Sequence, residues 1–147
     1  MGSRTSCYRE TNDTTFLNFA VKVADMIMDR VKTEDAVPYW DYDAPVTEET
    51  PRDASAASVT AAALIELSTM VPDGKKYFDY AEKILKSLSS DAYLAKVGEN
   101  QGFILMHSVG SLPNGSEIDT PLNYADYYYL EALKRYMDLK GINYKNI

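Results

Sequence analysis

An all-α fold of stacked helical hairpins is predicted for this chain, and three observations predict it. Apolar residues recur at helical spacing in every long segment, and no stretch alternates apolar and polar residues as a strand does. Connections between the helical segments are very unequal, a long one following a short one, which is the rhythm of helical hairpins set side by side in a ring or solenoid. One helical segment is made almost wholly of small residues, which lets neighbouring helices approach closely.

Taken in order, Met1-Gly2-Ser3 is set aside as a start segment, and Cys7-Tyr8-Arg9-Glu10 then reads as helix interior, with no cap or turn ahead of it. A helix is predicted over 13–32. Phe16, Ala20, Val23, Ile27 and Val31 form its inward face, Lys22, Asp25, Asp29 and Lys32 the opposite face, and Asp13 or Thr14 its cap. Residues 33–53 form a long connection, because Pro38, Pro45 and Pro51 forbid a continuous helix. Connections of that length inside a compact domain are usually functional.

A second helix over 53–71 begins with the small run Ala54 to Ala63 and adds Leu64, Leu67 and Val71. Pro72-Asp73-Gly74 is a turn, and a third helix over 75–89 turns Tyr77, Ala81, Ile84 and Leu88 inward. Ser90 and Asp91 reset the chain into a short piece ending at Lys96, and residues 98–120 are irregular. Thr120 as N-cap with Pro121 in the first turn predicts a last helix running to about Lys140 and closed by Gly141.

Composition narrows the function classes. The chain has 147 residues, 46% of them apolar and 25% charged, which is globular composition for one domain. Twenty-two acidic against 15 basic residues leave a net charge of −7, which repels phosphate backbones and argues against a nucleic-acid partner. No apolar run approaches the roughly twenty residues of a spanning helix, so no membrane partner is expected. The single cysteine, Cys7, excludes an internal disulfide framework, and a single histidine without a cysteine pair argues against a zinc site. Twelve tyrosines suit either core packing or a carbohydrate-facing cleft, since each joins an apolar body to a polar tip.

Three segments could carry chemistry. In the first, Tyr39-Trp40-Asp41-Tyr42-Asp43 leads to Arg52-Asp53. It reads either as a sugar wall with an arginine for a uronate carboxylate, or as a loop tied down by Arg52 with Asp53 as the helix cap. In the second, His107-Ser108-Val109-Gly110-Ser111, a lone histidine beside hydroxyls is either a substrate contact or a satisfied interior group. The third is Asn123 to Leu133. There the helix dipole favours a charged Asp126, a better hydrogen-bond acceptor than proton donor, and Tyr124, Tyr127 and Tyr128 share one side. Inward packing is the plainer reading for those tyrosines.

The runs VPYWDYDAP, PRDASAAS and ILMHSVGSLPNGSEIDTPLNYADYYYLEAL, with CYRET ahead of the first long helix, resemble the C-terminal part of glycoside hydrolase family 88, the unsaturated glucuronyl hydrolases. The resemblance runs from Cys7 to Leu139 with the motifs in one order. It implies a partial (α/α)6 toroid, with residues 1–147 as a single segment of a ring of helical hairpins. It also implies the chemistry. An aspartic acid protonates the C4=C5 enol ether of a 4,5-unsaturated uronic acid left by lyases, and water adds at C5. The hemiketal then collapses, releasing the neighbouring sugar and an open-chain keto acid, with no metal or organic cofactor.

In that family the catalytic aspartates and an Arg-Gly-Gln-Ala-Trp segment lie in the N-terminal half, so no residue here is assigned as the acid/base, and this chain alone is expected to be inactive. The loop of His107 and Ser108 matches the family segment that reaches the sugar after the uronate. Val109-Gly110-Ser111 lacks the lysine that reads sulfate in streptococcal relatives. Trp40, Arg52, Asp53, Asp126 and Tyr127 match positions near the cleft. The expected substrate contacts are therefore His107, Ser108, Trp40, Arg52, Asp126 and Tyr127, the expected ligand is an unsaturated uronyl oligosaccharide, and the incomplete ring is expected to self-associate. A non-catalytic sugar- or protein-binding module is the alternative, and a bacterial cytoplasm or periplasm the expected location.

Overall fold

The computed structural model describes residues 2–143. Among them are five α-helices: α1 (Gly2–Thr11), α2 (Thr14–Arg30), α3 (Ala54–Ser68), α4 (Gly74–Leu88) and α5 (Asn123–Lys140). Among the described residues there is no named strand. Four isolated antiparallel bridges fasten the long connections instead, at Tyr39–Arg52, Leu94–Leu105, Ser108–Thr120 and Ser111–Ser116.

The helices form two layers. α3 packs between α1 and α5 in one layer, and α2 and α4 lie side by side in the other, α2 against α1 and α3 and α4 against α3 and α5. The sequence dictates which helix is central. Eleven of the fifteen residues of α3 are buried, nearly all of them Ala, Ser or Thr in its first half, so helices can close on it from three directions. The bulk needed to fill the core comes from Leu64, Ile65 and Leu67 of α3 and from Tyr77, Ile84 and Leu88 of α4, all at most 1% exposed. The α4 stripe is the one its periodicity predicts.

The outer helix α2 departs from expectation. Its fully buried residues are Ala20 and Ala24, with Leu17, Val21 and Met28 packed alongside, so the inward face is centred on the two alanines while Phe16, Val23 and Ile27 are only partly buried. Two alanines at the contact bring α2 close, and polar links then hold it. The Tyr77 hydroxyl donates to Asp25 at 2.9 Å, and Lys76 pairs with the same carboxylate at 3.0 Å.

Helix ends follow local chemistry. Asp13 accepts from the Thr15 amide at 2.8 Å, and Asp53 accepts from the Ser55 and Ala56 amides at 2.9 and 3.3 Å. Gly141, at φ 68°, closes α5 in the left-handed conformation that glycine adopts freely. The predicted start of α5 is corrected. Thr120 pairs in both directions with the Ser108 backbone, at 3.0 and 3.1 Å, and the N-cap is Leu122, only 7% exposed. A residue whose amide and carbonyl are engaged in a bridge cannot also turn into a helix, so α5 begins after Pro121.

Both long connections, 31–53 and 89–122, run into the N-termini of α3 and α5 and lie together at one end of the layer. The Ala54 amide donates to the His107 carbonyl at 2.9 Å, and the Val109 amide to Asp53 at 3.3 Å. The cap of the central helix is therefore also the anchor of the histidine loop.

Candidate functional site

Asp35 organises the loop end, and sequence reading passed over it. Its carboxylate accepts from the Tyr93 hydroxyl at 2.7 Å, from Arg52 at 3.0 Å and from the Val37 amide at 3.1 Å. Burial pushes its acidity down, but the Tyr93, Val37 and Arg52 donors outweigh burial and hold the carboxyl below the usual range. Tyr93, buried and facing that carboxylate, has its own ionisation pushed far up. Arg52 also bonds the Val37 carbonyl and lies 4.6 Å over the Tyr39 ring. The only local signal for Asp35 was its place two residues before Val37, where an Asp side chain folds back onto the backbone.

A recess of about 420 Å³ opens beside this hub, between the two long loops. His107, Tyr93, Arg52, Asp119, Glu48 and Glu49 are among its walls. The His107 ring is held on two sides. Its Nδ1 lies 2.6 Å from an Asp119 carboxylate oxygen, and the Tyr93 ring meets it edge-on at 6.2 Å between centroids. His107, Glu117 and Asp119 all have positive φ, at 62°, 52° and 50°. Such backbone is costly for residues other than glycine, and here the Ser108–Thr120 bridge and the Gly110-to-Glu117 hydrogen bond hold it in place.

Of the predicted contacts, the structure brings His107 and Arg52 to this recess and places the others elsewhere. Ser108 is fully buried, with its Oγ unpaired, so its side chain does not reach the recess surface. Trp40 pairs through its backbone with Pro51 at 3.1 Å and does not line this recess. Asp126 accepts from the Ile104 and Leu105 amides at 2.8 and 2.9 Å, which occupies both its oxygens in holding the stretch that leads to His107.

Tyr127, an expected substrate contact, is 60% exposed and Tyr124 41%, so neither packs inward. Tyr129 is the buried tyrosine of that helix, its hydroxyl 2.8 Å from Ser89 Oγ. Tyr127 instead lines a second cavity, of about 540 Å³, along α1, α3 and α5. Glu66 links the three helices there, accepting from Thr5 at 2.6 Å, from Arg9, and from Arg135 at 3.5 Å. That network was also missed, because its members lie far apart in sequence.

Among the described residues no three His, Cys, Asp or Glu side chains gather as a metal site, and no helix is long and apolar enough to cross a membrane.

Residues 1–145 match the family model described as Glycosyl hydrolase family 47. An unsaturated glucuronyl hydrolase of Formosa agariphila is 45% identical over 136 residues, covering 92% of this chain and 34% of the relative. A solved structure described as an unsaturated glucuronyl hydrolase specific for heparin is 57% identical with a TM-score of 0.93, over 97% of this chain and 38% of that one. The chain belongs to the glycosyl hydrolase family that this model describes, and the individual proteins it matches are unsaturated glucuronyl hydrolases.

The number of the family model differs from the family 88 to which the motifs point. The individual matches, at high identity over more than nine-tenths of the chain, are to unsaturated glucuronyl hydrolases. A Streptococcus agalactiae unsaturated glucuronyl hydrolase variant, solved in complex with dGlcA-GalNAc6S, is 28% identical with a TM-score of 0.84, over 93% of this chain and 37% of that one. The chain thus spans about a third of the length of the unsaturated glucuronyl hydrolases it matches, and its five helices are part of their α/α toroid.

Proposed function

We propose that this chain is a wall-forming part of an unsaturated glucuronyl hydrolase acting on 4,5-unsaturated uronyl oligosaccharides from glycosaminoglycans. The observation that carries the reading is the 57% identity and TM-score of 0.93 over 97% of the chain. In this reading α1, α3 and α5 are consecutive inner helices of the toroid, and the loop end with its His107 recess is the stretch of cleft that meets the sugar beyond the uronate. Arg52 acts indirectly, by tying the 31–53 loop against Asp35. The acid/base aspartate belongs to the remaining two-thirds of the ring, and so does the protonation of C4 that starts the reaction.

The test is direct. Joined to the complementary two-thirds of a relative, the chain is expected to discharge the enol-ether absorbance of an unsaturated glycosaminoglycan disaccharide, while alone it leaves the absorbance unchanged. Turnover by the chain alone, or none by a folded joined protein, overturns the reading.

The same reading gives the exposed side of α5 a purpose. Tyr127 and Leu130, three residues apart on one side of α5, are 60% and 52% exposed, and in this reading the next helix of the ring covers them. The chain alone is expected to self-associate through this flank. Size-exclusion chromatography with near-ultraviolet circular dichroism checks it, and a compact, well-packed monomer refutes it.

A further inference from the structure

We infer that Asp119 is the positioning residue of His107: by accepting the Nδ1 proton it leaves Nε2 as an open acceptor in the recess, suited to a sugar hydroxyl and not to an anionic substituent. The inference rests on the proposal that this recess faces the sugar, and it adds the tautomer and the chemistry that the recess selects.

A carboxylate only accepts, so the 2.6 Å contact places the proton on Nδ1. The orientation is built in. The two residues are twelve apart in sequence, and each holds a left-handed backbone conformation that aims its side chain across the strap between them. Tyr93 meets the ring edge-on and is itself fastened to Asp35, so the imidazole plane is set by the loop hub as well as by Asp119. Among the described residues Nε2 has no hydrogen-bond partner, and the side chain is 43% exposed, so the acceptor is available to a ligand.

The rest of the lining gives the selectivity. Glu48, Glu49 and Asp119 present three carboxylates. The one lysine or arginine among the lining residues, Arg52, is already engaged by Asp35 and the Val37 carbonyl. A sulfate opposite Nε2 would meet a bare lone pair and this acidic rim, whereas a hydroxyl donates to the lone pair and carries no charge.

The chain has one histidine, so ¹⁵N labelling of histidine reports this ring alone. The expected spectrum of the neutral ring shows a protonated Nδ1 and a bare Nε2. Asp119→Ala is expected to move the proton to Nε2, the form free histidine favours, and Asp119→Asn to keep it on Nδ1 through the amide oxygen. A protonated Nε2 in the neutral ring of the unsubstituted chain overturns the assignment.

Titration with an unsaturated disaccharide and its sulfated counterpart tests the selectivity. The Nε2 signal is expected to respond to the unsulfated sugar at about tenfold lower concentration. An equal or stronger response to the sulfated sugar overturns the selectivity. No response to either overturns the sugar-facing reading of the recess, while the tautomer decides the role of Asp119 separately.

Discussion

Removing the carboxylate of Asp126 separates two roles that sequence left open for it. In the structure its oxygens accept from the Ile104 amide at 2.8 Å and the Leu105 amide at 2.9 Å, and Leu105 is fully buried. Asp126 also stands in the first turn of α5, where its charge opposes the positive end of the helix. Asp126→Ala leaves two backbone donors without a partner at the edge of the core. Hydrogen bonds to a charged group contribute roughly 1.5–3 kcal/mol each, and the pair share one side chain, so the expected loss is about 3 kcal/mol. With a urea slope of about 1.5–2 kcal/mol per molar, the unfolding midpoint falls by roughly 1.5–2 M. Asp126→Asn retains one acceptor and is expected to lose about half as much. Urea titration followed by far-ultraviolet circular dichroism reads both variants. An Asp126→Ala midpoint within about 0.3 M of the parent chain would show that the carboxylate does not hold the 104–105 backbone, and would return Asp126 to the list of substrate contacts.

Two further outcomes follow from the same structure. Because the Asp35 carboxyl titrates below its unfolded value, its contribution is complete above that value, near 4, and is lost as pH falls through the lowered one; Asp35→Asn should flatten this acid limb of the stability–pH curve, and an unchanged limb refutes the hub. At Gly74, where α4 starts, an added methyl would overlap the Ser68 carbonyl oxygen and its carbon, both backbone; Gly74→Ala should therefore lower stability by about 1–3 kcal/mol, and a neutral thermal melt would show that the α3–α4 turn has slack.

Helices, turns and caps were legible in the sequence wherever the cause is local. The 3.6-residue periodicity of α4, the Asp13 and Asp53 caps and the closing Gly141 all act within a few residues of themselves. The motifs also carried the family, since their order survives along the chain. Tertiary structure decided what depends on neighbours from elsewhere. Thr120 bridges to Ser108 in place of capping α5, Ser108 is buried although polar, and Asp126 grips the backbone of residues 104 and 105. Asp35 and Tyr93 become a hub only when residues 58 apart meet, and Asp119 gains a role only when the strap folds it against His107. A side chain carries its acceptors and its charge in the sequence. Which donors it will face is set by packing, because two all-helical segments with the same periodicity can turn the same residue toward core, partner or solvent.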